Sequence, residues 1–312
     1  MRKPELLVTA RSPQQLQTLF AAGADAAVIG DDRFGMRLPG SFDLTQTEQA
    51  VKLAHELGKK LYVTVNLIMH NELIDELPDY LAQLARTGVD GIVFSDPAVI
   101  MAMQQQGVSL PLHWNPETTA TNFLTANYWA TKGATRMIAA RELNLEQLID
   151  LKQKLNIELQ VQVHGMTCIY HSKRDLLSNY AEHVEKASSL SRDEALGLQS
   201  GLVLRERERP DERYPVYEDV NGTHMMSPDD ICMLENLREL IDAGFDSMKI
   251  EGLLQSDEYM EAAVKAYRRA IDDYCADPEQ YEFDDQLLES IEALQAPHRP
   301  LSFGFFFKEQ VY

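Results

Sequence analysis

His164, Gly165 and Cys168 close the stretch Gln160-Val-Gln-Val-His-Gly-Met-Thr-Cys168. An imidazole takes or gives a proton near neutral pH, a thiol attacks an electrophile or ligates a metal, and a glycine between them lets a ligand approach the backbone. Side chains of similar potential recur at or just after other apolar runs: Asn66, Asp96, Asn115, the neighbours Arg141 and Glu142, and Glu251. Arg37 follows another run in the loop Phe-Gly-Met-Arg. Arg141 and then Arg37 are the anion-binding candidates, because a guanidinium fork fits a carboxylate or a phosphate. Glu251 joins His164 as a candidate acid or base. Each also has a plainer reading: a core histidine, an Arg141–Glu142 ion pair, a Lys249–Glu251 pair. With His164, Cys168 and Cys232 would make a three-ligand metal set without zinc-like spacing, and Cys232 falls in what reads as an amphipathic helix, where a packed thiol is ordinary. Nothing marks a nucleophile elbow.

These residues need something to bring them to one end of the molecule, and the alternation of strands and helices supplies it. Strands are expected over Glu5–Ala10, Ala26–Gly30, Leu61–Asn66, Gly91–Asp96, Leu110–Asn115, Thr135–Ala140, Ile157–His164 and Ser247–Glu251. Helices separate them: one opened by Ser12-Pro13 and stopped by Gly23, one capped by Thr45 with Glu48 completing a capping box, and others near 74–86, 97–107, 120–132, 145–155, 227–243 and 257–274. About eight strands alternating with about eight helices predict an α/β fold, a (β/α)8 TIM-like barrel, whose active site belongs at the carboxyl ends of the strands. No glycine-rich dinucleotide fingerprint follows the first strand. The barrel is expected over residues 1–275 with an irregular insertion at about 169–223, and residues 276–312, with their aromatic tail, as an extension packing on the barrel or a partner.

The bulk composition limits the partners. A net charge of −20 on 312 residues opposes binding to a phosphate backbone by this chain alone. Apolar residues make up 45% of the chain, enough for a packed core, yet no run approaches the ~18 apolar residues of a membrane span. Three cysteines without close spacing suit a reducing compartment, so a cytoplasmic protein is expected.

The segments ADAAVIGDDRFGMR, AVKLAHELGKKLYVTVN, VQVHGMTC, RPDERYPVYEDVNGTHMMSPDDICML and MKIEGLLQSDEYMEAAVKAYRRAID, in this order, resemble the collagenase-like peptidase family U32 over about the whole chain. The short form resembles the members implicated in prephenate-dependent 5-hydroxylation of the tRNA wobble uridine, especially the first of a two-subunit pair. The family signature before the His-Gly pair has a glutamate and a phenylalanine, where this chain has Gln160 and Gln162. Hydroxylating relatives carry four cysteines resembling an iron–sulfur ligand set. Here Cys168 and Cys232 keep two of those positions, Asp175 and a residue near Leu198 occupy the others, and Cys275 matches none. The resemblance therefore implies no cluster in this chain alone, a cluster-bearing paralogue as partner, prephenate as a co-substrate and tRNA reached through the complex. The alternatives are proteolysis, which the family name suggests, and a non-catalytic scaffold.

Overall fold

The computed structural model describes residues 2–117, 121–183 and 195–309. Ala120, the expected start of one helix, the middle of the insertion and the last three residues lie outside the described residues. In chain order the strands are β1 (Glu5–Thr9), β2 (Ala26–Gly30), β3 (Lys60–Val65), β4 (Gly91–Phe94), β5 (Leu112–Trp114), β6 (Ala134–Ile138) and β7 (Glu158–Gly165). There follow β8 (Cys168–Ser172), β9 (Val203–Leu204), β10 (Tyr214–Asp219), β11 (Gly222–Met226), β12 (Asp230–Cys232), β13 (Ser247–Ile250) and β14 (Leu301–Ser302). The described helices are α1 (Pro13–Ala22), α2 (Leu44–Glu56), α3 (Asn71–Ile74), α4 (Leu77–Thr87), α5 (Ala98–Gln106), α6 (Phe123–Ala130) and α7 (Leu145–Lys154). After them come α8 (Leu176–His183), α9 (Leu237–Asp242), α10 (Asp257–Ala276) and α11 (Asp285–Glu292).

Strands β1 to β7 pair in parallel in sequence order, and β13 pairs in parallel with both β1 and β7, closing an eight-stranded barrel. Alternation along each strand builds two layers. Leu6, Val8, Leu159 and Val161 pack outward under the helices, while Leu7, Val28, Tyr62 and Val93 fill the interior. The amino-terminal end of the interior is polar. Arg136, 2% exposed, binds Glu5 at 2.6 Å and Glu158 at 2.7 Å, and Tyr62 donates to Glu5 at 2.8 Å. That network seals the floor and leaves the carboxyl ends of the strands as the accessible face.

Three expectations change. The cap of α2 is Asp43, bonded reciprocally with Gln46, rather than Thr45 with Glu48, so the helix starts one residue before the expected cap. The insertion is not irregular throughout: β8, β11, β10 and β9 form a four-stranded antiparallel sheet in that order, whose central hairpin turns at Val220-Asn221. Residues 227–243 are not one helix. Asp230–Cys232 is a strand lying antiparallel on β7 and parallel to β14, and only Leu237–Asp242 is helical. Its local signals are overridden by Arg299, which forks onto the buried Asp230 carboxylate at 2.7 and 2.8 Å, and by the chain after it, which supplies β14. Of the aromatic tail, Phe306 is buried and its carbonyl accepts from the Leu145 amide at the start of α7, while Phe303, Phe305 and Phe307 are exposed.

Candidate functional site

A pocket opens at the carboxyl ends of the barrel strands. Its wall includes Thr9, Asn66, Asn115, Gln160, Gln162, Lys249 and Glu251 at strand ends, Arg37 and Arg141 from loops, and Cys168 from the start of β8. Five of the eight residues expected from sequence as catalytic or substrate-binding therefore meet here: Arg37, Asn66, Asn115, Arg141 and Glu251.

Arg37 has left-handed backbone, φ 54°, which turns its side chain into the pocket from the loop after β2. Asn66 accepts the Met36 amide at 2.8 Å, and the Asn221 side chain at the hairpin tip donates to the Gly35 carbonyl at 3.2 Å, so a strand end and the antiparallel sheet both hold that loop. The guanidinium pairs with Glu117. Burial is the largest single influence and works against its charge, but Glu117 together with the other acidic groups around it outweighs burial and strengthens its hold on the proton. Glu117 is itself left-handed, with its amide 3.2 Å from the Asn115 side-chain oxygen. Arg141 lies on the opposite loop, with its Nε 3.2 Å from Glu142, so the ion pair and the pocket position coexist. Glu142 and Asp96 are not on the pocket wall. Asp96 accepts the amides of Met69 and Ala98 at 3.1 and 2.9 Å, which fixes the loop ahead of α5.

Glu251 is held on both oxygens. Oε1 accepts from Thr9 at 2.9 Å and from the Leu253 amide at 3.1 Å, and Oε2 accepts from Lys249 at 2.7 Å. Beside it, Gln162 donates to the carbonyls of Gly165 and Met166, whereas Gln160, 2% exposed, keeps an amide oxygen without a hydrogen-bond partner. A buried acceptor without a donor on the wall of a pocket is what a ligand's hydroxyl or N–H would satisfy.

His164 lies elsewhere. Alternation from Gln160 and Gln162 would point it into the barrel, but the pairing of β7 with β13 slips by one residue between Lys249 and Ile250. This bulge turns His164 outward. It is fully buried behind β7, 2.8 Å from the Tyr259 hydroxyl and edge-on to Tyr267, both of α10. Burial pushes its pKa down to about 4. The next residue, Gly165, has φ 91°, and a Cβ there would collide with the Glu251 carbonyl, so this glycine allows the strand ends to cross beneath the pocket.

The two cysteines at the remnant cluster positions pack apart. Cys232 belongs to the main core beside Tyr267, where burial pushes its thiol up to about 11, while Cys168 lies with Met166, Tyr217, Met226 and Leu253. Of the other two positions that the resemblance implies, one holds a carboxylate, Asp175, and the other falls near Leu198, where no cysteine stands. Such a donor set does not fit a four-thiolate cluster. Among the described residues, no group of three or more His, Cys, Asp or Glu side chains could hold a metal ion.

Sequence reasoning passed over Glu117, Gln160 as a pocket wall, and the polar sheet beside Cys168. The sheet carried a signal: Asn221-Gly222 between two alternating segments is a hairpin pattern. Glu117 carried none, since it stands in an aperiodic loop.

The model of peptidase family U32 matches residues 11–311. The chain is 47% identical over 313 aligned residues to tRNA hydroxylation protein P2 of Bacillus subtilis (strain 168), covering 100% of both chains. It is 32% identical to tRNA hydroxylation protein P1 of the same organism, over 100% of this chain and 74% of that one. Against tRNA hydroxylation protein P of Escherichia coli (strain K12) the identity is 30%, over 98% of this chain and 75% of that one. Sequence reading placed the chain nearest the first member of a pair, whereas its identity is higher with P2 than with P1. Among the described residues, no helix is long and apolar enough to cross a membrane.

Proposed function

Because the chain belongs to peptidase family U32, we propose that it is the P2-type subunit of a two-chain system that 5-hydroxylates the wobble uridine of tRNA. One observation carries this reading: full-length identity to a protein named P2, with a lower identity to a longer protein named P1 in the same organism. In this reading the redox step belongs to a cluster-bearing paralogue, because two of the four positions where the resemblance implies thiolates, Asp175 and one near Leu198, carry no cysteine here. This chain supplies a barrel pocket for a small carboxylate co-substrate, with prephenate the candidate. Arg37 and Arg141 are its anion-binding groups, Glu251 a candidate proton carrier, and Gln160 an acceptor for a ligand hydroxyl. His164, behind β7, positions the strand end. The tRNA is held by the complex, since a net charge of −20 disfavours a phosphate backbone here, and the assembly works in the cytoplasm.

The family name also suggests proteolysis. At the signature position, however, Gln160 offers an amide where a glutamate could act as a base. Affinity purification of this chain from its own cells tests the proposal. Recovery of a cluster-bearing paralogue in fixed ratio supports it, and recovery of this chain alone, with its pocket unable to bind prephenate, removes it.

A further inference from the structure

Beside the barrel pocket lies a second cavity, and Pro39 and Met166 stand on the walls of both. The partition between them is a packed cluster in which Cys168, Met226 and Leu253 face the barrel pocket, Tyr217 faces the second cavity and Met166 faces both. Beyond the partition the wall is mostly apolar, with Leu198, Leu202, Val203, Val216 and Leu254. Tyr217 is the polar member of the partition. Its ring is 2% exposed and stacks on His224 at 4.8 Å and 18°, and its hydroxyl has no hydrogen-bond partner among the described residues. A buried hydroxyl left in that state is unfavourable until a ligand atom takes its hydrogen bond.

Arg299 continues the line outward. It stands on the wall of the second cavity and also on that of a surface groove, where Arg205, Arg213 and His298 meet one carboxylate, Asp211. Arg299 is itself committed to Asp230 and to the carbonyls of Ser227 and Asp229. Arg205 and Arg213 are not so committed: among the described residues neither has an ion-pair partner, whereas Arg209 between them is paired with Glu206 and Glu212. In a chain with 49 acidic and 29 basic side chains, two unpaired guanidiniums at one groove make a local anion site that the overall charge conceals.

We propose that cavity and groove together hold a short single-stranded stretch of RNA. One base enters the apolar cavity, where Tyr217 donates to a ring carbonyl, and the neighbouring phosphates lie on Arg205 and Arg213. A base buries its flat face in an apolar slot, and a phosphate takes the forked donors of arginine. The proposal rests on the tRNA reading for the kind of nucleic acid, and it places the substrate strand next to the barrel pocket, across the wall formed by Pro39 and Met166. The complex still supplies most of the affinity, and the groove sets the register of the strand.

The test irradiates the purified full-length chain at low salt with a short oligouridylate carrying 4-thiouridine, maps the cross-linked peptides by mass spectrometry, and measures the dissociation constant of the same RNA by fluorescence anisotropy. Cross-links should fall within residues 198–217 and 296–300. Arg205→Ala combined with Arg213→Ala should weaken binding by ~10-fold or more and lower the log–log salt slope by about 1.4, the counterion release of two phosphate contacts on a single strand. Arg207→Ala, which removes a charge from the same segment but not from the groove wall, should change binding by less than ~2-fold. Leu202→Trp, which fills the cavity from a partly exposed position, should weaken binding with the salt slope unchanged. Cross-links confined to other surfaces, no binding at low salt, or a double variant no weaker than Arg207→Ala overturns the proposal, as does displacement of the RNA by an equal concentration of oligoglutamate, which would assign the groove to an acidic peptide. The tRNA reading fails separately: 5-hydroxyuridine derivatives retained in a strain lacking the gene remove it whatever the groove binds, while their loss, with the double variant restoring them in full, removes the groove alone.

Discussion

Acidifying the protein from about pH 7 to about pH 5 should destabilise it through His164 in particular. The ring is fully buried, one nitrogen has no partner, and its pKa lies at about 4 instead of the ordinary 6.5. In the unfolded chain the ring regains the ordinary value, so the unfolded state takes up the proton first. Stability from this group is whole above about 6.5, falls as the pH drops below it, and stops falling only below about 4. At about pH 5 the unfolded ring is almost wholly protonated and the folded ring about one-tenth so, a ratio worth roughly 2 kcal/mol. Urea unfolding of the wild type and of His164→Gln at both pH values isolates that term, because every other titrating group is common to the two proteins. Glutamine can still bond Tyr259 but does not titrate. The wild type should lose about 2 kcal/mol more than the variant on acidification. Equal losses would mean that His164 is solvated, and would undo its placement behind β7.

Gly165→Ala should cost about 3 kcal/mol or more, since it combines a left-handed backbone with a collision at the Glu251 carbonyl, and should appear as a lowered melting temperature. Arg299→Leu leaves the fully buried Asp230 without its cation, a loss of roughly 3–5 kcal/mol in urea unfolding, and adding Asp230→Asn should restore most of it. Arg141→Gln should weaken prephenate binding by about tenfold or more in calorimetry, the scale of one charge-assisted hydrogen bond. An unchanged dissociation constant would take that guanidinium out of the binding site.

The barrel was legible because its signals are local and repeated: apolar strands, the Ser12 cap, and Gly23 stopping α1 in left-handed backbone. The loop-borne Arg37 and Arg141 and the strand-end Asn66, Asn115 and Glu251 followed from where such strands must end. What escaped the sequence depends on distant partners. Ser227-Pro228 looks like a helix start, yet Asp230 is committed to Arg299 and β12 to β14, both about seventy residues later. The outward turn of His164 depends on a bulge that only the β7–β13 pairing reveals. Asp43 won the cap of α2 over Thr45 because Gln46 could close the box with it, a choice between two adequate local patterns. The stacking of His224 between His171 and Tyr217 needs residues of three strands to meet across the antiparallel sheet, and spacing alone does not record stacking.

The central claim, that this chain is a subunit of a tRNA hydroxylation system, is tested most directly by nucleoside mass spectrometry of tRNA from a strain lacking its gene and any parallel pathway. The account predicts loss of 5-hydroxyuridine derivatives, restored by the wild-type chain together with its paralogue and not by the paralogue alone. A full complement of 5-hydroxyuridine derivatives in the deletion strain would contradict it.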